Sequence, residues 1–232
     1  MLMNATIKEP LGAETAELRR VMVERQLRPY DVHDLEVLNR FIAVPRELFL
    51  PSHLASVAYS DLSVEAEGGR RWEPAPLVLA RFLQIADIRP EHKVLYIAGG
   101  EGYAAALLSG LAGEVVALES DAAIAERACA NLAKIGAGAV RVIVGPLGKG
   151  APAEAPFDVI LIQGAVEGGL EELLSQLKPN GRLLAFRRPE PKSGIKAVRI
   201  DLSDGKLAGE RPIFDAAAPR LDEFALPAAF VL

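Results

Sequence analysis

The chain has 232 residues, of which half are hydrophobic and a quarter are charged, and this is the composition of an ordinary globular protein. Its formal net charge is −5 and it contains no basic block, so nucleic acid is not expected as the main partner, because phosphate binding needs clustered lysine and arginine. The one cysteine, Cys129, excludes an intrachain disulfide.

The side chains that usually bind metals are few. Three histidines and one cysteine do not have the spacing of metal ligands, so no metal site is predicted. Cys129 lies in an alanine-rich segment, where a cysteine is usually a small buried apolar residue, and we expect it in the core. The sequence has no signal peptide and no apolar run long enough to span a bilayer, which favours a cytoplasmic location without a membrane partner.

The first part of the chain is predicted to be helical. Residues 14–50 carry apolar side chains at helical spacing, and Asp34 is the expected N-cap of a second helix. Pro45 and Pro51 mark the end of this region. Residues 56–75 are predicted to form a loop that ends in the segment GGRRWEP.

From residue 76 onwards, helices alternate with short apolar strands. The predicted helices are 76–87, 102–112, 121–135 and 169–177, and the predicted strands are 93–98, 114–119, 140–144, 157–162 and 181–187. The strands are continuous and rich in valine, isoleucine and leucine, as is typical of parallel strands buried on both faces. This alternation predicts an α/β fold with a doubly wound, mostly parallel, Rossmann-like sheet.

The end of the chain has a different pattern. Segments 195–202 and 206–214 are joined by Asp204-Gly205, which is a strong hairpin signal, so an antiparallel pair is expected to close the sheet. We therefore predict one domain over residues 1–232, with an N-terminal helical and substrate-loop extension at 14–75, a core at 76–190, and a hairpin and tail at 191–232.

A glycine turn after the first core strand indicates a nucleoside site. Residues 94–103, VLYIAGGEGY, run from a strand through glycines into a helix, and glycine lets a ligand approach the main chain. The next strand ends at Glu119, whose carboxylate can accept hydrogen bonds from both ribose hydroxyls. In the alternative interpretation, Glu119 is an acid at a helix N-terminus and the glycines only pack the helix on the strand.

The same features suit a nicotinamide site and an S-adenosylmethionine site. The long helical segment before the first core strand is unusual for a dinucleotide enzyme. The turn KPNGRL at residues 178–183 resembles the turn before the fifth strand of methyltransferases.

Several further segments give a specific resemblance. RVMVERQL at 20–27, VPRELFLP at 44–51, AYSD at 58–61, PLVLA at 76–80, the glycine turn with Tyr103, and PFDVI at 156–160 resemble, in this order, the protein-L-isoaspartate O-methyltransferase family. The resemblance covers roughly residues 15–190.

The resemblance implies methyl transfer from S-adenosylmethionine to the α-carboxylate of L-isoaspartyl residues in damaged proteins, so that the partner is a protein or peptide carboxylate. It implies a methyl-donor site at Ala98, Gly99, Gly100, Gly102, Tyr103, Glu119, Leu147 and Gln163. A carboxylate is already a nucleophile at neutral pH, so no strong base is needed and no catalytic residue is assigned; alignment and exclusion of water are the protein's task.

Four positions differ from the family pattern. Tyr96 replaces an acid at the end of the first core strand, and Ala98 replaces the first glycine of the turn. Pro146 replaces an aspartate that meets the adenine amino group, and proline offers neither a carboxylate nor an N–H. In the substrate loop, Trp72 and Pro74 stand where the family has two hydroxyl residues, and Arg70 stands at a glycine.

The candidate substrate-loop residues are Asp61, Arg71, Trp72 and Glu73. Arg70 and Arg71 could bind a carboxylate substrate through bidentate hydrogen bonds, but we favour the alternative in which they pair with Glu65 or Glu67 in a solvated loop. Trp72 is either a substrate wall or a packing anchor. Asp61 is expected to pair with an arginine rather than act as a base. Gln163 either orients substrate or belongs to an ordinary loop.

Two hypotheses follow from these residues. In the first, the protein is an enzyme that binds S-adenosylmethionine and methylates a carboxylate. In the second, the four replacements have removed the cofactor site, and the protein is a binding or scaffold module. Fold alone does not choose between them, because function depends on the site.

Overall fold

The computed structural model describes residues 11–65, 71–188 and 194–225. Its helices are α1 (Leu11–Met22), α2 (Leu35–Ala43), α3 (Pro76–Ala86), α4 (Tyr103–Leu108), α5 (Ala122–Lys134) and α6 (Glu171–Leu174). Its strands are β1 (Val64–Glu65), β2 (Trp72–Glu73), β3 (Lys93–Ile97), β4 (Glu114–Glu119), β5 (Arg141–Val144), β6 (Phe157–Val166), β7 (Leu177–Arg187), β8 (Lys196–Ser203) and β9 (Lys206–Asp215).

Seven strands form one sheet in the order β5-β4-β3-β6-β7-β8-β9. The first five are parallel to their neighbours, and β8 and β9 are added as an antiparallel pair. The predicted doubly wound sheet with a C-terminal hairpin is therefore confirmed. The division of the chain at residues 75 and 190 stays a prediction.

The central strand β3 shows why this sheet is buried on both faces. Val94 and Tyr96 belong to the hydrophobic core on one face, and Leu95 and Ile97 belong to the core on the other. All four side chains are fully buried. A strand that is apolar at every position is stable when helices or loops cover both faces, which accounts for the continuous apolar run.

The topology brings three strand ends together. β3 lies between β4 and β6. After β3 the chain first adds β4 and β5 on one side of it, and then adds β6 and β7 on its other side. In a doubly wound sheet, ligands bind in the crevice outside the carboxyl ends of the strands at such a point. Ala98, Glu119 and Gln163 therefore lie at one edge, since Ile97 pairs with both Leu118 and Ile162.

The sixth strand and the helix after it differ from the prediction. β6 continues to Val166, and the helix predicted at 169–177 is reduced to one turn, Glu171–Leu174. The extension of β6 is stabilised by the end of the chain, because Ala165 exchanges backbone hydrogen bonds with Pro219 and Leu221 at 2.8 and 2.9 Å. The local sequence of β6 does not indicate that this strand pairs with residues 219–221.

Helix ends follow the expected capping rules. Asp34 accepts hydrogen bonds from the backbone N–H groups of Glu36 and Val37, as predicted for the N-cap of α2.

The expectation for Cys129 was wrong: its side chain is exposed on the outer face of α5. Within the described ranges, no helix is long and apolar enough to cross a membrane.

Arg46 joins the N-terminal extension to the rest of the protein. Its side chain is fully buried, and it donates hydrogen bonds to the carbonyl oxygens of Ala58, Leu62 and Pro74 at 2.8, 3.4 and 2.9 Å. A buried carbonyl that loses its donor keeps its full desolvation cost. Arg46 therefore fixes the path of the loop that precedes α3.

We expect Arg46→Ala to destabilise the fold by about 3 kcal/mol, because it leaves several buried carbonyl groups without donors. For a chain of this size, that change lowers the melting temperature by roughly 6–12 °C. The matched control is Arg20→Ala, because Arg20 is exposed and pairs only with Glu17 among its described contacts. A melting temperature of Arg46→Ala that equals that of the control contradicts the anchoring role.

Candidate active site

The glycine turn after β3 has an unusual backbone. Ala98, Gly100 and Gly102 all have positive φ, at 60°, 61° and 99°. For an alanine, this left-handed conformation costs about 1–2 kcal/mol, and a glycine at the same position avoids the cost. The N–H of Ala98 donates to the carbonyl of Leu118 at 3.0 Å, which holds the turn against the end of β4.

Tyr96 fills the inner side of this turn. A side-chain carbon built at Gly99 would lie 2.4 Å from Cε1 of Tyr96, so the ring rests directly on the glycine backbone. The space left among Tyr96, Gly102, Glu119 and the helix behind them has a volume of about 10 Å³. That is at the lower limit for one water molecule. The phenol hydroxyl donates to the side-chain carbonyl of Gln163 at the end of the central strands.

Glu119 is buried at the end of β4 and is bound by Arg71. Nε of Arg71 lies 2.9 Å from each carboxylate oxygen, and Nη2 lies 2.5 Å from Oε1. Oε1 also accepts from the backbone N–H groups of Ser120 and Asp121, at 2.7 and 3.3 Å. The cap of α5 is Asp121, which accepts hydrogen bonds from Ala123 and Ile124.

The expected partners of Arg71 were Glu65 and Glu67, and the pairing with Glu67 stays a prediction, since Arg70 and Glu67 lie outside the described residues. Among the described residues, Arg71 pairs with Glu119, a carboxylate 48 positions away, because the loop crosses the carboxyl edge of the sheet. Burial lowers the pKa of the Arg71 guanidinium, but the hydrogen bonds and charge of Glu119, with the charge of Glu223, outweigh burial, so the pKa is raised.

The end of the chain supplies a second carboxylate. Oε1 of Glu223 accepts from Oγ of Ser120 at 2.8 Å and lies 3.4 Å from Nη2 of Arg71. Arg71 also donates to Oγ of Ser120 at 2.8 Å. Sequence reasoning missed Ser120, which follows Glu119 directly, and Glu223, whose position depends on the pairing of residues 219–221 with β6.

Trp72 and Gln163 connect the loop to the sheet. Trp72 packs edge to face on Phe186 with ring centres 5.4 Å apart, and its backbone carbonyl accepts from the side-chain amide of Gln163. Trp72 also borders the cleft described below, so it is both a packing anchor and a cleft wall. Gln163 is buried and holds the loop, in contrast to an ordinary loop residue.

A cleft of about 670 Å³ opens beside the Arg71–Glu119 pair. It is bordered by Glu65, Arg71, Trp72, Gln163 and residues 120–122 and 219–223. This volume lies within the range of small-molecule sites. In the described part of the chain, no group of three or more histidine, cysteine, aspartate or glutamate side chains could hold a metal ion.

The remaining predicted residues lie outside this cleft. Leu147 and Tyr103 are fully buried in the two cores, and Tyr103 packs on Phe41 and Phe49. Asp61 accepts a hydrogen bond from the N–H of Leu77 at 3.0 Å. The expectation of an arginine partner for Asp61 was wrong: among the described residues, its partner is the start of α3.

Glu73, next to Trp72, is a buried acid. Burial raises the pKa of its carboxyl group to about 7, although the charge of Arg46 and a hydrogen bond from Gln163 lower it. One carboxylate oxygen, Oε1, has no hydrogen-bond partner in the described structure. An unpartnered oxygen in a buried site favours the neutral acid over the carboxylate.

This raised pKa predicts a pH-dependent stability. Between about pH 4.5 and pH 7 the folded protein keeps a proton that the unfolded chain releases, so the stability due to Glu73 falls as the pH rises. Glu73→Gln cannot lose stability in this way. Between pH 4 and pH 8, the free energy of unfolding of the variant should therefore rise relative to that of the wild type by on the order of 3 kcal/mol. Denaturant unfolding at these pH values measures it.

The control for this comparison is Glu126→Gln, on the exposed face of α5. Its stability should follow the wild-type pH profile. Parallel profiles for wild type and Glu73→Gln would show that Glu73 ionises in the folded protein as it does in the unfolded chain.

Comparison with known proteins places this site in a family. A model of the family "Protein-L-isoaspartate(D-aspartate) O-methyltransferase (PCMT)" matches residues 19–206. A protein-L-isoaspartate O-methyltransferase of Methanoculleus marisnigri is 39% identical over 182 residues, which are 78% of this chain and 82% of the relative.

Two solved structures have the same fold. A protein-L-isoaspartate O-methyltransferase superposes with a TM-score of 0.76 at 25% identity, over 89% of this chain and 65% of the other. An enzyme of the same description from Plasmodium falciparum, in complex with S-adenosyl-L-homocysteine, superposes with a TM-score of 0.74 at 17% identity, over 90% and 98%. With residues 19–206 matched by the family model, the chain belongs to the protein-L-isoaspartate O-methyltransferase family.

Proposed function

We propose that this protein transfers a methyl group from S-adenosylmethionine to a protein carboxylate, with L-isoaspartyl residues as the substrate. The observation that carries the proposal is the family match over residues 19–206, which spans the glycine turn, the end of β4 and the loop beside the cleft. Glu119 lies at the position that such a nucleoside site needs, at the carboxyl edge of the sheet next to β3.

The residues at this edge fit the sugar and main-chain contacts of the cofactor. Glu119 is a carboxylate that can accept from two hydroxyls, and Gly100 leaves the main chain of the turn approachable. The proposed methyl-donor site comprises Ala98, Gly99, Gly100 and Gly102 of the turn, Glu119 and Gln163 at the ends of neighbouring strands, and the buried residues Tyr103 and Leu147. In the described conformation, Tyr103 and Leu147 support this set from the core, and Arg71 is bound to Glu119.

When bound, S-adenosylmethionine supplies a methyl group activated by a sulfonium. The acceptor carboxylate is ionised at neutral pH and needs no general base, so the protein has to align two reactants and exclude water. Trp72 forms an apolar wall of the cleft, and its backbone is fixed by Gln163, which is itself held by Tyr96. Trp72 and Gln163, supported by Tyr96, thus form one side of the cleft, against which a peptide carboxylate could be positioned.

The wider role that we propose is repair of damaged proteins in the cytoplasm, with proteins or peptides as partners. It is supported by the substrate named in the family description. The cleft beside Arg71 has the volume of a small-molecule site, since such sites occupy about 300–1,000 Å³.

We expect the purified protein to methylate a synthetic peptide that contains L-isoaspartate and not the matched peptide with L-aspartate. Release of methanol from the base-labile methyl ester measures the product. Absence of methyl transfer to the isoaspartyl peptide at saturating S-adenosylmethionine contradicts the proposed substrate.

A second measurement tests the site itself. Glu119→Ala removes the acceptor of both ribose hydroxyls and is expected to weaken S-adenosylhomocysteine binding about 100-fold, because two hydrogen bonds to a charged group are lost. Isothermal titration measures the dissociation constant. Glu126→Ala, an exposed carboxylate on α5, is the matched control and should bind as the wild type does.

A further inference from the structure

We propose that Arg71 competes with the ribose of S-adenosylmethionine for Glu119, so that the cofactor binds only after Arg71 has left this carboxylate. The proposal rests on the proposed function above and concerns how that same site is controlled. The guanidinium of Arg71 thus occupies the position at Glu119 that the ribose would take.

The hydrogen bonds at Glu119 are the first support. Oε1 accepts from Nε and Nη2 of Arg71 and from the N–H groups of Ser120 and Asp121, which is more than its two lone pairs accommodate well. Oε2 accepts from Nε of Arg71. A ribose presents two adjacent hydroxyls that need both oxygens, and the fork of Arg71 already spans both.

The position of the Arg71 side chain is the second support. A side-chain carbon built at Gly100 would lie 3.6 Å from Cβ of Arg71, so the arginine starts above the glycine turn and ends at Glu119. It covers the two elements that a nucleoside would contact. Among the described residues, Arg71 borders the 670 Å³ cleft and Glu119 does not, so the guanidinium separates the carboxylate from the cleft.

The surroundings also give Arg71 another place to bind. Glu223 lies 3.4 Å from Nη2 and is one-third exposed, and Ser120 bridges Arg71 and Glu223 through its hydroxyl. A buried cation that loses its only partner is strongly destabilised. Because Glu223 stays within reach, Arg71 can release Glu119 while keeping a carboxylate partner at the mouth of the cleft.

The consequence is a lowered cofactor affinity. When a binding-competent state is a fraction of the population, the apparent dissociation constant rises by the inverse of that fraction. The Arg71–Glu119 pair is buried and charge-assisted, which makes the closed state the main one. Removing the guanidinium therefore increases the affinity for the cofactor, although the side chain of Arg71 borders the cleft.

Isothermal titration with S-adenosylhomocysteine tests this inference. We expect Arg71→Gln and Arg71→Met to lower the dissociation constant at least tenfold relative to the wild type, which corresponds to about 1.4 kcal/mol. The matched control is Arg211→Gln, an exposed arginine on β9, which should bind within about twofold of the wild type. A dissociation constant of the Arg71 variants equal to or higher than that of the wild type overturns the proposal.

A second experiment covers the case in which these variants do not fold, which thermal unfolding detects. Arg71→Lys keeps a cation but lacks the planar fork. Its dissociation constant should lie between those of the wild type and Arg71→Gln. If Arg71→Lys is the only variant that folds, its dissociation constant should be below that of the wild type. In Arg71→Ala, added guanidinium chloride at tens of millimolar should weaken binding again, and sodium chloride at the same concentration should not. Equal effects of the two salts count against the competition.

The outcomes separate this inference from the proposed function. If wild type and Arg71 variants bind S-adenosylhomocysteine equally well, the competition is wrong and the cofactor assignment stands. If neither the wild type nor the folded Arg71 variants bind at millimolar ligand, the site does not accept this cofactor, and both proposals fail.

Discussion

The ion pair between Arg71 and Glu119 determines how the carboxyl edge of the sheet is arranged. It joins the loop before α3 to the end of β4, and through Ser120 and Glu223 it also connects to the last described turn of the chain. Three segments that are distant in sequence thus meet on one guanidinium. A planar group with five donors can satisfy two carboxylates and a hydroxyl at once, which a lysine cannot do with the same geometry.

Two residues that depart from the family pattern, Tyr96 and Trp72, are connected through Gln163. The hydroxyl of Tyr96 donates to Gln163, and the amide of Gln163 donates to the backbone carbonyl of Trp72. Glu73 follows Trp72 and also receives a hydrogen bond from Gln163. A single replacement in this buried set would leave a polar group unpaired, at a cost of about 1–3 kcal/mol. Tyr96, Gln163 and Trp72 therefore form one hydrogen-bonded set that fixes the loop.

The sequence predicted those parts of the molecule that depend on local pattern. The apolar runs of β3 and β4 follow from burial on two faces, and the cap at Asp34 follows from a side-chain acceptor at a helix start. It did not predict that Arg71 pairs with Glu119, since several acids lie nearer in the sequence and Glu119 is 48 positions away. The exposed side chain of Cys129 was missed because the prediction followed the usual burial of cysteine and not the position of Cys129 around α5, whose buried face carries Ile124, Ala128 and Leu132.

The same ion pair links stability to cofactor affinity. A carboxylate buried at the edge of a sheet is costly unless it is paired, and Glu119 has to be there if it is to hold a sugar. Arg71 supplies the balancing positive charge, and in the proposed competition the same ion pair closes the sugar position. Each increase in the strength of this pair lowers the population that can accept a nucleoside. Glu223 lowers the cost of separating Arg71 from Glu119, because a guanidinium shared by two carboxylates can leave one of them without becoming unpaired.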